Sequence, residues 1–346
     1  MKVGVVGVTG AVGREMITDL ADSGLDIEVV PLASARSEGA VIDFRGKSLK
    51  VRAFSLELLK GCEFTLMSAG GDFSRNHAVE ISGAGSVVID NSSAWRMDPT
   101  VPLVVPEVNP DDLRFGVGTK RIIANPNCST IQLVVPLSAL KNAFGLQQVI
   151  VASYQSVSGT GQKGISELAA QVQGHFSFKE PPPQVYSQPI AFNLLPAIDK
   201  IDLAGHCFEE EKIIRETRRI LKLPDLQILA TTVRTPTFNC HGEAVSVRLA
   251  RKVTLDQAKE LFRGAKGINF IDSTDAAELP TPRMVAGDRA VWVSRVRLPL
   301  DVDESDWLQF WVIADNLKKG AATNAVQILE LLAAGGCGQN HDEAND

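Results

Sequence analysis

The chain has 346 residues, of which 45% are hydrophobic and 22% charged, with a formal net charge of −6. That length suggests two domains with room for a sizeable core, and the acidic balance gives no reason to expect a nucleic-acid partner. The five cysteines, Cys62, Cys128, Cys207, Cys240 and Cys337, are odd in number and show no CxxC spacing, which argues against a disulfide framework or a thiol-rich zinc site, so no metal is expected.

The chain opens on an apolar strand, "KVGVVGV", with no charged leader or cleavage site before it. No apolar run approaches the ~18 residues of a membrane span. The expectation is a cytoplasmic protein with reduced thiols and no membrane partner. A strand over about 2–7 leads to a helix over about 12–23, then strands over 27–34 and 63–70 and a helical stretch from about 73. Further short apolar runs follow at 86–93 and 121–125. Strands alternating with helices predict βαβ units and a parallel sheet, a Rossmann-like domain.

From about 146 the rhythm changes. "LQQVIVASYQSVSG" reads as a strand with turn residues after it, followed by a helix over about 162–173. An irregular insert contains "PPP" at 181–183, which cannot be helical. In "EEEKIIRETRRIL" (209–221), Ile213, Ile214, Thr217, Ile220 and Leu221 fall on one side of a helix. "LQILATTVRTP", "EAVSVRLAR", "AVWVSRVRLP" and "WLQFWVIAD" alternate in the β manner, which predicts a second domain of α+β class built on a mixed or largely antiparallel sheet. A last helix over 319–335 is placed to return to the first domain, and the polar tail from Cys337 is expected to fray.

Between the first strand and helix, "VGVVGVTGAVG" carries Gly7, Gly10 and Gly13 at GxxGxxG spacing. Such a turn bares the backbone so that a pyrophosphate can sit on the helix N-terminus. An NAD site usually ends its second strand with an acid for the ribose 2′-hydroxyl. Here the strand ends Ala33-Ser34-Ala35-Arg36-Ser37, a cation with two hydroxyls, which suits the 2′-phosphate of NADP.

Cys128 stands after Pro126 and Asn127, at the mouth of the helix in "NPNCSTIQLVVPLSAL". Helix-terminal N–H groups and the helix dipole favour a thiolate. A thiolate beside a nicotinamide adds to an aldehyde, loses hydride and becomes a thioester. Such chemistry needs a base. Among the five histidines, His77, His175, His206, His241 and His341, His241 stands just before a strand in "RTPTFNCHGEAV". By spacing alone it is either that base or a turn residue.

The motifs "GVTGAVG", "NPNCSTIQ", "YQSVSGTGQKG", "EEEKIIRETRRIL", "VRTPTFNCHGEAV" and "DNLKKGAATNAVQI" resemble, in order and through nearly the whole chain, those of the aspartate-β-semialdehyde dehydrogenases. The resemblance implies NADPH-dependent reduction of L-aspartyl 4-phosphate to the semialdehyde, a step towards lysine, methionine and threonine. It implies a Rossmann-like NADP-binding domain of residues 1–127 and 316–346, and a catalytic and dimerisation domain of 128–315. Position by position, Cys128 resembles the acyl-forming nucleophile, His241 the acid/base and Gln155 the group that orients substrate and thiol. Arg234 resembles the clamp on the substrate α-carboxylate, a bidentate task suited to a guanidinium. Glu209 resembles the acid that holds the substrate amine, with Glu210 and Glu211 as neighbouring alternatives. Lys212 and Arg96 resemble phosphate ligands, assisted by Asn127. Thr9, Gly10, Ala11, Val12 and Gly13 would line the pyrophosphate, with Arg36 and Ser37 near the 2′-phosphate and Ser158, Gly159 and Asn316 near the nicotinamide. Cys240, beside the base, has no role in this reading.

The nearest rival is an N-acetyl-glutamyl-phosphate reductase, which shares the Cys/His logic; the acid and lysine of "EEEK" with "VRTP" favour a substrate with a free amine instead. A glyceraldehyde-phosphate type of dehydrogenase fits the Arg36 loop and the motifs poorly. A non-catalytic paralogue acting as a binding subunit would be marked by loss of the nucleophile or base, yet Cys128 and His241 both remain. The family implies a homodimer or a dimer of dimers.

Overall fold

The computed structural model describes residues 1–113, 120–179 and 181–335, so Cys337 and His341 lie outside the described residues. The chain divides into two compact units: Met1–Thr9 with Gly13–Asn125 and the chain from Asn324, and Gly10–Val12 with Pro126–Thr323.

The first unit is built on β1 (Lys2–Val6), α1 (Ala11–Asp22), β2 (Glu28–Ala33), β3 (Val41–Phe44), β4 (Lys47–Lys50), β5 (Arg52–Ala53), α2 (Leu56–Leu59), β6 (Phe64–Met67), α3 (Gly71–Gly83), β7 (Val87–Asp90) and β8 (Ile122–Ala124). Six of the strands form one parallel sheet in the order β5-β2-β1-β6-β7-β8. Helices cover both faces of such a sheet, so its strands read as continuous apolar runs. Accordingly β6 and β7 are buried at every residue. Strand order reverses at β1, whose neighbours are β2 on one side and β6 on the other, and a crevice opens at the carboxyl ends of strands at such a point. The β3–β4 hairpin, absent from the sequence reading, turns at Arg45 (φ 53°) and Gly46 (φ 75°), the paired positive φ of a two-residue hairpin turn.

The second unit begins with α4 (Cys128–Phe144) and β9 (Leu146–Gln155), then α5 (Gln162–Phe176), α6 (Phe208–Leu221), β10 (Gln227–Arg234), β11 (His241–Thr254), α7 (Leu255–Gly264), β12 (Ile268–Ile271), α8 (Pro282–Val285), β13 (Val291–Arg297) and β14 (Glu304–Ala314). Its sheet runs β10-β9-β11-β14-β13-β12, parallel at β10–β9 and β12–β13 and antiparallel elsewhere. The mixed sheet is the one expected from the alternating strands. The α4 helix lies over β9, β11, β13 and β14, and α6 and α7 flank it. Its residues Ile131 to Leu137 are all buried, as a helix apolar on every side must be. The inward residues Val149, Val151 and Ser153 of β9 are buried, whereas Ile150 and Tyr154 on the opposite face are exposed, as is Leu229 of β10.

The last helix differs from the single run over 319–335. A π-helical turn, Lys318–Ala322, precedes α9 (Thr323–Ala334). Asn324 ties α9 into the first unit by donating to Val104 O at 3.0 Å and Asn125 Oδ1 at 2.7 Å. No helix among the described residues is long and apolar enough to cross a membrane.

Candidate active site

Cys128 is the first residue of α4, and Asn127 caps the helix: its Oδ1 accepts from the N–H groups of Ser129 at 3.0 Å and Thr130 at 3.2 Å. The cap satisfies two donors that a helix start leaves without partners and fixes the direction in which Cys128 leaves the helix. Cys128 is only partly buried. The backbone of the π-helical turn closes on it: a Cβ added at Gly320 would lie 3.0 Å from Cys128 Cβ.

Asn127 is itself held from two sides by α6. Its backbone N–H donates to Glu216 Oε2 at 2.6 Å, and its Nδ2 donates to Glu209 Oε1 at 2.9 Å. Gln155 Nε2 donates to the same Glu209 oxygen at 3.2 Å and to Ser153 Oγ at 3.2 Å. Lys212, one turn along α6, donates to Glu209 Oε2 at 3.0 Å and to Asp199 Oδ2 at 2.8 Å. Burial opposes the charge on Glu209, but the Lys212 ammonium and the Asn127 and Gln155 amides outweigh it and hold the carboxyl at about 2. Burial likewise opposes the Lys212 charge, and Glu209 and Asp199 more than offset it, raising its pKa.

The acidic run is sorted by direction. Glu209 faces Asn127 and Gln155. Glu210 turns back to accept from Cys207 N and Thr232 N at 2.9 and 3.1 Å, a capping role. Glu211 pairs with Arg215 at 2.9 Å.

Gln155, Arg234 and His241, far apart in sequence, are cross-strand neighbours. Gln155 at the end of β9 sits opposite Arg234 at the end of β10 and opposite His241 at the start of β11. His241 is fully buried. The Ser156 N–H donates to its Nδ1 at 3.1 Å, which places the proton of the neutral ring on Nε2. Nε2 has no hydrogen-bond partner. Burial, reinforced by the Arg234 guanidinium, lowers the imidazole to about 3, so it is neutral at physiological pH. Arg234 Nη1 donates to Ser156 O at 2.7 Å. A Cβ at Gly159 would come within 3.0 Å of Arg234 Nη1 and 3.3 Å of His241 Nε2, so glycine keeps both polar groups clear. Asn316 Oδ1 gathers three donors, Ser156 Oγ, Ser158 Oγ and Cys240 N, at 3.1, 3.0 and 3.0 Å.

In the first unit, the glycine loop leaves β1 at the strand-order reversal. Gly7 has φ +87°, and a Cβ there would lie 2.3 Å from Ser68 O at the end of β6. A Cβ at Gly13, in the first turn of α1, would lie 2.2 Å from Gly7 O. Both positions exclude side chains and leave Thr9, Gly10, Ala11 and Val12 as bare loop and helix start. Thr9 Oγ1 donates to Ser37 Oγ at 3.2 Å, and Arg36 is exposed just beyond β2. This cradle fits a nicotinamide dinucleotide. Arg96 is buried, donating to Asn125 O at 2.9 Å and Asn91 O at 2.8 Å.

Sequence reasoning missed Ser156, Glu216, Gln132, Glu243 and Gly320. Glu216 had a signal: seven residues after Glu209, it shares that face of α6 and interrupts its apolar side. Gly320 had none, because its closeness to Cys128 depends on the π-helical turn.

Residues 2–115 match the family model of the semialdehyde dehydrogenase NAD binding domain, and residues 137–319 match that of the semialdehyde dehydrogenase dimerisation domain. A parallel-sheet nicotinamide-binding domain followed by a mixed-sheet domain bearing a helix-mouth thiol and a buried histidine thus defines an oxidoreductase of the semialdehyde dehydrogenase class. The chain is 44% identical to the aspartate-semialdehyde dehydrogenase of Aquifex aeolicus, covering 97% of this chain and 98% of that protein, and 42% identical to that of Bacillus subtilis, covering 96% and 97%. Aspartate semialdehyde dehydrogenase II of Vibrio cholerae, solved in complex with ASA, superposes with a TM-score of 0.91 at 39% identity, covering 96% of this chain and 98% of that one. The chain belongs to the aspartate-semialdehyde dehydrogenase family.

Proposed function

We propose that the chain reduces L-aspartyl 4-phosphate to L-aspartate 4-semialdehyde with NADPH, through a thioester on Cys128, on the route to lysine, methionine and threonine. The observation that carries this reading is the register that sets Gln155 between Arg234 and His241 while Glu209 links Gln155 to Asn127, the residue before Cys128. Nucleophile, acid/base and carboxylate clamp are thereby joined in one hydrogen-bonded frame.

Arg234 holds the substrate α-carboxylate, and Glu209 the amine. Cys128 sulfur attacks the acyl carbon; phosphate departs, neutralised by Lys212 and Arg96, and the thioester forms. When bound, the nicotinamide cofactor would supply the hydride. The oxyanion that develops at the thioester carbon stands at the positive end of the α4 dipole, which stabilises it. His241 acts through Nε2–H, the donor left over by Ser156, and gives its hydrogen bond to that oxygen and then to the departing sulfur, which leaves as the Cys128 thiolate. Gln155 orients substrate and thiol, and Ser158, Gly159 and Asn316 border the nicotinamide.

NADP is preferred to NAD because Arg36 and two serines stand where an NAD site places an acid. Arg36→Ala should raise KM for NADP+ while leaving that for NAD+ nearly unchanged; equal effects on both would set Arg36 aside.

The protein forms a homodimer or dimer of dimers in the cytoplasm, with the uncovered sheet face carrying Ile150, Tyr154 and Leu229 as the contact, since an apolar patch left open on a sheet marks an interface. Light scattering tests this: Tyr154→Glu should lower the assembly mass.

The deciding assay mixes protein, L-aspartate-β-semialdehyde, phosphate and NADP+ and follows reduced nicotinamide. Turnover should require phosphate and vanish in Cys128→Ala, with NADPH binding retained. Turnover of N-acetyl-glutamate semialdehyde instead would move the chain to the sister activity.

A further inference from the structure

Beneath His241 lies a second ionisable group without an assigned task. Glu243 follows His241 by two residues on β11, so both side chains leave the same sheet face. It sits opposite Ser153 of β9 and Val312 of β14 and has no solvent exposure. No donor meets hydrogen-bond geometry at either carboxyl oxygen, though the Gln132 amide faces Glu243 from α4 closely enough to favour its charged form, and Gln132 Oε1 has no partner either. Gln132 stands one helical turn after Cys128, and its Nε2 donates to His241 O at 3.1 Å.

We propose that Glu243 is a positioning residue that carries a proton and pairs side by side with the Gln132 amide, fixing His241 through its carbonyl. Chemistry selects the protonated form. Gln132 Oε1 needs a donor, which a carboxylate cannot supply. A carboxylic acid donates its O–H to Oε1 and accepts the second Nε2 hydrogen on its other oxygen, the first being given to His241 O. All the orphaned atoms of the pair are then satisfied, as buried polar groups require. The charged and titratable groups around it agree. Burial raises the Glu243 carboxyl well above its ordinary range; the Gln132 amide opposes this, and the negative charge of Glu209 on α6 adds to it by disfavouring a second charge. His241 on its own strand is neutral, Cys128 stands a turn away on α4, and β9 and β14 offer only Ser153, Gln155, Val312 and Ala314. A neutral Glu243 leaves His241 uncharged, whereas a carboxylate there would draw a proton onto the imidazole. The chain from Glu243 through Gln132 also connects the two reacting residues, since Gln132 belongs to the helix that begins with Cys128.

The inference rests on His241 as acid/base, and the experiment separates the two. Infrared difference spectroscopy of the whole enzyme should show a protonated-carboxyl stretch at neutral pH that is absent from Glu243→Gln; this readout does not depend on which residue is the base. An amide at 243 can make the same two-point pair, so Glu243→Gln should keep kcat within about 3-fold and keep the acid limb of the pH profile. Glu243→Ala, which opens the pair, should lower kcat about 10- to 100-fold with KM nearly unchanged, the scale of a misplaced catalytic group. Absence of the stretch from the wild-type enzyme would overturn the proposal. So would a loss in Glu243→Gln matching that in Glu243→Ala, or a downward shift of its acid limb, since either means that a charge is at work. Should Glu243→Ala fail to fold, Gln132→Met, which removes the partner, should reproduce its kcat loss; unchanged kcat there also overturns it.

Discussion

Asn127 gives its backbone N–H to Glu216 Oε2 at 2.6 Å, across 89 residues of sequence, and so pins the start of the helix that opens at Cys128 to α6. Asn127 alone would cap α4 wherever that helix went. Glu216 decides where the cap stands relative to Glu209, Gln155 and the strand ends.

Replacing Glu216 should therefore loosen the site from behind. Glu216→Ala leaves the Asn127 N–H buried without an acceptor, a loss of about 1–3 kcal/mol. Denaturant midpoints should fall accordingly. Initial rates should show kcat falling more than KM rises, since Cys128 is displaced while the substrate clamps stay.

Glu209 should behave as a binding residue. Glu209→Gln removes the charge proposed to hold the substrate amine and leaves Asp199 as the carboxylate on Lys212, so KM for the semialdehyde should rise more than kcat falls. The variant also has a pH signature. The Glu209 carboxyl is held at about 2 against an ordinary 4.5, so its stabilisation is present above about 4.5 and lost as pH falls towards 2. In Glu209→Gln that part of the acid-unfolding curve should flatten.

His241 adds a slope of the same sign in a higher window. Its folded value is about 3 against 6.5 for the free imidazole; between these the unfolded chain binds a proton that the folded one excludes, so stability falls as pH drops from 6.5 towards 3. His241→Asn should remove this slope from the pH dependence of the melting temperature. It should also lower kcat by about 10²- to 10⁴-fold, the usual contribution of general acid–base catalysis.

The thiols should separate under alkylation. Cys128 is partly exposed, whereas Cys62, Cys207 and Cys240 are buried. Burial, with Asp315 nearby, pushes the Cys240 thiol up to about 12. Mass mapping after brief iodoacetamide treatment should find label on Cys128 and none on Cys240, with activity lost in step. Cys240→Ala should remain active; if it does not, Cys240 has a role beyond packing.

A side chain at Gly320 should crowd Cys128. A Cβ there would meet Cys128 Cβ at 3.0 Å, so the thiol must give by a few tenths of an ångström, and a reacting group moved off its productive geometry loses rate. Gly320→Ala should keep its melting temperature within a few degrees and lose kcat.

Much of this was legible in local pattern. The βα alternation, the glycine loop and the helix opening at Cys128 each rest on residues a few positions apart. The i, i+3 spacing of Glu209 and Lys212 became a 3.0 Å ion pair. The β3–β4 hairpin went unread because its strands, "VIDF" and "KSLK", are short and mostly exposed, with little apolar alternation to betray them. The choice among Glu209, Glu210 and Glu211 stayed open because their order along the chain says nothing of what lies opposite each.

The sequence by itself determined the class of fold, the place of Cys128 at a helix mouth and the family, since periodicity, turn chemistry and motif order act over short spans. Only the tertiary structure decided that Gln155 lies between Arg234 and His241, that Glu216 anchors Asn127, and that His241 is neutral with its proton on Nε2. These depend on strand register, burial and partners tens of residues away. A hydrogen bond or a shifted proton equilibrium belongs to the surroundings that packing creates, and a side chain's identity does not specify those surroundings.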